Sequence, residues 1–177
     1  YSFTSLSLTA GNVYHTELKA LDIAGNESTV VISDGWSQVE LGWKPESFIK
    51  ASNADVSDLF GASVAIDGDT LVVGASGESS NQTTITNGST ASSDNSLNAS
   101  GAAYVYKRHW NPALWKYEWE QEAYIKASNA DNSDNFGASV AIHQDTIAVG
   151  ANFESSNQTV LTNGNTAASA DNTVMSS

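Results

Sequence analysis

The 177-residue chain has no cysteine and only two prolines. Disulfide staples, cysteine-ligated zinc and a thiol nucleophile are therefore excluded. Positive charge is scarce: 7 Lys and Arg stand against 20 Asp and Glu, a formal net charge of −13. Phosphate binding needs clustered basic residues, and only Lys107 and Arg108 are adjacent. Nucleic acid is thus not an expected partner, and neither is an anionic membrane surface. No run approaches the ~18 apolar residues of a membrane span, so no membrane insertion is expected. No basic stretch leads into an apolar one as in a signal peptide. Phosphate-loop, G-x-S-x-G and H-E-x-x-H motifs are missing. His15, His109 and His143 are scattered, without metal-ligand spacing.

What is present is a repeat. Phe48-Ile49-Lys50-Ala51-Ser52-Asn53-Ala54-Asp55 returns as Tyr124-Ile125-Lys126-Ala127-Ser128-Asn129-Ala130-Asp131, an offset of 76. Phe60-Gly61-Ala62-Ser63-Val64-Ala65-Ile66 returns as Phe136 to Ile142 in the same register, Val73-Gly74-Ala75 as Val149-Gly150-Ala151, and Glu78-Ser79-Ser80-Asn81 as Glu154-Ser155-Ser156-Asn157. A one-residue insertion follows, and Asp94-Asn95 matches Asp171-Asn172. Each unit reads as short strands, so the expected class is all-β. Ser63–Ile66 and Thr70–Val73 flank the turn Asp67-Gly68-Asp69. Ala102–Tyr106 is a third strand. Residues 119–127 alternate as a fourth, with Trp119, Gln121, Ala123 and Ile125 on one side and Tyr124 and Lys126 on the other. Four strands per repeat is the layout of a propeller blade.

Residues 76–100 form an insert rich in Ser, Thr, Asn and Gly. Its composition reads as a flexible linker, whereas its recurrence reads as an ordered, functional loop. Asn53-x-Asp55-x-x-Asp58 recurs as Asn129-x-Asp131-x-x-Asp134. These oxygens are a candidate calcium site, or they accept backbone N–H groups and fix the turn ahead of Phe60 and Phe136. Glu78, Asp94, Glu154 and Asp171 are candidate ligand contacts in the two inserts, with solvated carboxylates as the alternative. Trp110, Trp115, Tyr117 and Trp119 crowd one connection. They suit stacking on sugar rings or anchoring a protein partner, or packing between blades. Trp119 is the expected core member and Trp110 the expected exposed one.

Phe60-Gly61 followed by Val73-Gly74-Ala75 resembles an FG-GAP repeat, the blade unit of the integrin α-subunit propeller. Gly101-Ala102-Ala103-Tyr104-Val105-Tyr106, then Trp115 and Trp119, then Asp134-Asn135-Phe136-Gly137 and Val149-Gly150-Ala151, is similar to the bacterial form of that repeat. The integrin calcium loop is not carried over, because the connections Asp67-Gly68-Asp69 and His143-Gln144-Asp145 are too short to supply six to eight oxygens. Leu8-Thr9-Ala10-Gly11-Asn12-Val13-Tyr14 resembles the approach to a fibronectin type III tyrosine corner.

The resemblance implies three regions: residues 1–35 as the C-terminal part of a fibronectin type III-like sandwich, 36–45 as a linker, and 46–177 as FG-GAP-like blades, one complete and two partial. It implies a non-catalytic, extracellular or cell-surface binding and adhesion module. Calcium is the candidate cofactor, and the candidate partners are a cell-surface protein or glycan and the remaining blades of the same propeller. Two alternatives stay open: an accessory module of a larger secreted hydrolase, and a short chain that completes its propeller by oligomerisation.

Overall fold

A computed structural model of the chain describes residues 45–156, Leu161 and Gly164, and the backbone of two earlier strands. All regular structure among the described residues is β-strand. The chain divides into two compact units, Tyr1–Pro45 and Glu46–Ser177.

In the first unit, β1 (Tyr14–Leu18) pairs antiparallel with β2 (Val31–Ser37), Leu18 lying opposite Val31 and Glu17 opposite Ile32. Strand β2 runs past residue 35, where the sequence placed the end of the module. The tyrosine-corner residues Leu8–Val13 lie outside the described residues.

The second unit is built on one sheet. Strands β3 (Phe60–Asp67), β4 (Thr70–Ala75), β6 (Ala102–Asn111) and β7 (Lys116–Ile125) lie side by side as an antiparallel meander. A two-residue strand from the insert, β5 (Thr86–Asn87), adds to the outer edge of β7. The repeat of the first hairpin, β8 (Phe136–His143) and β9 (Thr146–Ala151), forms a separate two-stranded sheet. Gly68 turns the first hairpin at φ 56°, and Gln144 takes that place in the second at φ 51°. Glycine enters this region freely, whereas a side chain is strained there.

The Phe-Gly motif has a backbone cause. Phe60 lies opposite Ala75 while Ser63 lies opposite Gly74, so Gly61 and Ala62 bulge from the ladder. The second copy bulges identically between Phe136 and Ser139. The glycines sit at φ 90° and 89°, a conformation L side chains avoid.

One face of the sheet carries the core: Tyr104 and Tyr106 of β6, Tyr124 of β7, Val73 and Ala75 of β4, and Ala51 from the preceding segment. Phe60 meets Tyr104 edge-on at 5.3 Å between centroids, and Tyr104 meets Tyr124 at 5.2 Å. Each such pair adds about 0.5–1.5 kcal/mol beyond area burial.

The alternation expected along β7 is corrected by a bulge. Val105 pairs with Ala123 but Tyr106 pairs with Gln121, so Glu122 has no opposite. A bulge shifts the side-chain phase by one residue. Tyr124 therefore joins Trp119 on the core face, and Ala123 passes to the other.

The insert is ordered. It leaves β4 at Ala75, crosses to the free edge of β7, and returns to β6. Gly88 N donates to the carbonyl of the bulged Glu122 at 2.6 Å, and Leu97 N donates to Ser79 O at 2.8 Å. It thereby caps an edge that would otherwise expose unpaired backbone groups. Flexible-linker composition does not prevent order here, because the short polar side chains bond to backbone groups.

The second hairpin packs against the first sheet with glycine at the contact. A Cβ on Gly74 would lie 2.0 Å from the carbonyl oxygen of Gly137. Ser63 Oγ donates to that same carbonyl at 2.7 Å. Phe136 N donates to Ser100 O at 3.0 Å beside a parallel bridge between Gly101 and Phe136.

Candidate functional site

Two features stand out chemically: an exposed aromatic tip on the β6–β7 hairpin and a sealed polar network beneath the insert.

The tip is shaped by Asn111-Pro112. Asn111 Oδ1 accepts from Ala113 N at 3.0 Å, an Asx turn that starts the reversal. Trp115 closes it at φ 52°. Trp110 then lies 5.2 Å from Tyr117 and 6.2 Å from Trp115, both edge-on. Trp115 is 82% exposed, Leu114 56%, Tyr117 47% and Trp110 45%. The Arg108 guanidinium stacks 4.5 Å from the Tyr117 centroid while Nε donates to Asp69 Oδ1 at 2.9 Å. An apolar cluster of this kind at the tip of a rigid hairpin is costly in water and suited to an anchor. Trp119, deeper on the same face, packs against the core.

The network centres on Glu78. Its Oε2 lies 2.8 Å from Lys126 Nζ, and both side chains are sealed from solvent. Lys126 Nζ also donates to Ser100 Oγ at 2.7 Å. Glu78 Oε1 accepts from Asn53 Nδ2 at 3.2 Å and from Ser80 N at 3.1 Å. Ser80 Oγ shares a 2.6 Å hydrogen bond with the Tyr124 hydroxyl, and Tyr104 OH donates to Asn53 Oδ1 at 2.6 Å. Burial pushes the Lys126 ammonium below its ordinary pKa and the Tyr104 and Tyr124 phenols above theirs. Glu78, a candidate ligand contact from the sequence, has its carboxylate buried and satisfied from within the fold.

The other candidates separate. Asn53, Asp55 and Asp58 come together with Asn95 and Ser92 of the insert. Asp58 Oδ2 accepts from Asp55 N at 2.7 Å, Asp55 Oδ1 from Val56 N at 2.6 Å, and Asp55 Oδ2 from Asn95 Nδ2. Asp131 and Asp134 repeat the turn bonds at 2.7 Å each. Burial raises the pKa of Asp58 and of Asp134. Among the described residues no group of three or more His, Asp or Glu is placed to hold a metal ion. Asp94 Oδ1 accepts from Ser96 Oγ at 2.6 Å, Ser96 N at 3.0 Å and Asn81 N at 3.2 Å, which hold its carboxyl below the ordinary range and shape the insert. Glu154 is exposed beside Asn129. Asp171 lies outside the described residues.

The FG-GAP repeat family model matches residues 43–106 and 119–167. The chain belongs to the FG-GAP repeat family. No curated protein and no solved structure matches it. FG-GAP repeats are typical of extracellular binding and adhesion modules and are generally non-catalytic. In this FG-GAP chain the two matched stretches contain the bulged Phe-Gly motifs, the Val-Gly-Ala strands and the Glu78–Lys126 pair. Residues 107–118, between them, carry Trp110, Trp115 and Tyr117.

Proposed function

We propose that the chain is a non-catalytic extracellular binding module that reads a cell-surface protein or glycan through its aromatic hairpin tip. The observation that carries this is the exposure of Trp110, Trp115 and Tyr117 as one cluster, placed between the stretches that define the repeat. In this reading β3, β4, β6 and β7 are the four strands of a propeller blade and β8–β9 begin the next. The glycine contact between Gly74 and Gly137 supports blade-on-blade stacking. Residues 1–35 belong to a fibronectin type III-like module in the same reading.

Calcium has a poorer fit. The oxygens of Asn53, Asp55 and Asp58 already accept hydrogen bonds from Tyr104, Val56, Asn95 and Asp55. These residues, with Asn129, Asp131 and Asp134, serve as turn anchors in our reading, and a cation would have to displace those bonds. A Tm unchanged by millimolar calcium is expected.

The test of the function is retention of labelled protein on a glycan array and on intact cells. Trp110→Ala/Trp115→Ala is expected to lower retention at least about tenfold, as loss of an aromatic anchor does, while Tm stays unchanged. Retention equal to that of the parent overturns the proposal.

A further inference from the structure

Three groups of the sealed network hold the parts of an acyl transfer. The nucleophile is the Lys126 amine, on a side chain 0% exposed. Burial favours its neutral form, which is the form that attacks a carbonyl carbon. The acyl group is the side-chain amide of Asn53. Its Oδ1 accepts from Tyr104 OH at 2.6 Å, which draws electron density away from Cγ. Its Nδ2 donates to Glu78 Oε1 at 3.2 Å and to Ser92 O at 2.6 Å, and these two bonds fix the amide plane. The proton carrier is Glu78.

One carboxylate bridges nucleophile and leaving group. Glu78 Oε2 lies 2.8 Å from Lys126 Nζ, while Oε1 accepts from Asn53 Nδ2. A group within hydrogen-bond reach of both takes a proton from one and hands it to the other. The Tyr104 hydroxyl already sits where charge develops on Oδ1 during attack. Tyr104, Ser80 and Ser100 are fully buried around these groups, which keeps water from competing for the carbonyl carbon.

We propose that Lys126 and Asn53 become joined by an intramolecular amide bond, with Glu78 carrying the protons and ammonia as the leaving group. The ion pair is the state before reaction. Glu78 Oε2 takes one proton from the Lys126 ammonium. The neutral amine adds to Asn53 Cγ, its electron pair forming the Nζ–Cγ bond, and the carbonyl pair moves to Oδ1. A second proton passes from Nζ through the Glu78 carboxyl to Nδ2. The Oδ1 pair then re-forms the carbonyl, and the Cγ–Nδ2 bond breaks with its electrons on ammonia. Ammonia carries off the first proton as ammonium, and Glu78 is again a carboxylate. The balance needs no oxidant and no co-reactant. The bond closes a loop from residue 53 to residue 126 that encloses β3, β4, β6, β7 and the hairpin tip. Such a link holds the unfolded chain together and so favours the fold. It is independent of what the tip binds.

The test is the denatured mass of the full chain, kept folded at neutral pH until its mass is constant, followed by a tryptic map. The parent is expected to be lighter than its sequence by one ammonia. Trypsin is expected to spare Lys126 and to release residues 51–107 joined to residues 117–177. The map is needed because an Asn-Gly pair such as Asn87-Gly88 also loses ammonia, without joining two fragments. Asn53→Ala, Lys126→Arg and Glu78→Gln are each expected to yield no joined fragments. Asn53→Asp is expected to lose water in place of ammonia and to give the same joined fragments. A parent cleaved after Lys126, with no joined fragments, overturns the proposal. Joined fragments that persist in Asn53→Ala, or a parent lighter by one water, place the bond on another side chain and overturn it as well. Joined fragments that persist in Glu78→Gln overturn the role of Glu78.

Discussion

Lys126 Nζ lies 2.8 Å from Glu78 Oε2, with the two side chains 0% and 1% exposed. This pair joins the end of β7 to the root of the insert, 48 residues away in sequence. Breaking a buried pair strands the surviving charge in a low-dielectric site, which costs about 3–5 kcal/mol. Glu78→Gln and Lys126→Met should each lower stability by about that amount, read from urea unfolding midpoints. The double variant should lose clearly less than the sum, since it leaves no unpaired charge.

The acidic groups of the two turns predict a pH dependence. Burial raises the pKa of Asp58 and Asp134 above the usual 3.8. Between the ordinary and the raised value the native state holds more protons than the unfolded one. Their contribution is therefore fully present below the unfolded pKa and is lost as pH rises through the folded one. Relative to Asp58→Asn/Asp134→Asn, the parent should gain stability as pH falls from neutral toward the usual carboxylate range. Denaturant midpoints taken across that range check the sign.

Tyrosine titration tests the core. Burial holds the Tyr104, Tyr106 and Tyr124 phenols above the usual 10.0. In a spectrophotometric titration these three should stay silent near pH 11 while the fold persists. The stability they lend is present below the unfolded pKa of about 10 and falls as pH rises beyond it. Three extra phenolates appearing at the ordinary pKa would contradict the packing described.

Gly74→Ala tests the contact between the sheets. Its Cβ would lie 2.0 Å from the Gly137 carbonyl oxygen and 2.2 Å from Ser63 Oγ, and the backbone contact has no rotamer to relieve it. The two sheets must separate or shift, so a loss of about 1–3 kcal/mol is expected. Gly88→Ala is the control for glycine effects as such: nothing lies within 4 Å of its Cβ, although its φ of 86° adds strain. The Gly74 variant should lower the cooperativity between the two repeats, seen as a second unfolding step, and the control should not.

Much of the strand framework was legible because the repeat shows the same pattern twice. Both hairpins follow from β-branched runs around a two-residue turn, and Tyr104-Val105-Tyr106 reads as a strand from its aromatic and β-branched residues. The phase of β7 was not legible, since a period of two cannot register the bulge at Glu122. The order of the insert was hidden because its bonds run to distant backbone groups, such as Gly88 to Glu122. The role of Glu78 was hidden for the same reason, its partner being 48 residues away. A signal did exist: Glu78 and Lys50 both recur at the same offset, as Glu154 and Lys126. Trp119 in the core and Trp110 at the surface were readable from their places on the hairpin, whereas the exposure of Trp115 depends on its left-handed backbone.

Binding through the hairpin tip should bury its exposed aromatic side chains. Oxidative footprinting of the protein bound to intact cells or to a retained glycan, set against the free protein, measures this residue by residue. Trp110, Trp115 and Tyr117 should be protected on binding, with Phe48 and Val56, exposed elsewhere on the unit, unchanged. Protection that falls elsewhere and leaves Trp110 and Trp115 fully reactive would contradict the proposed role of the tip.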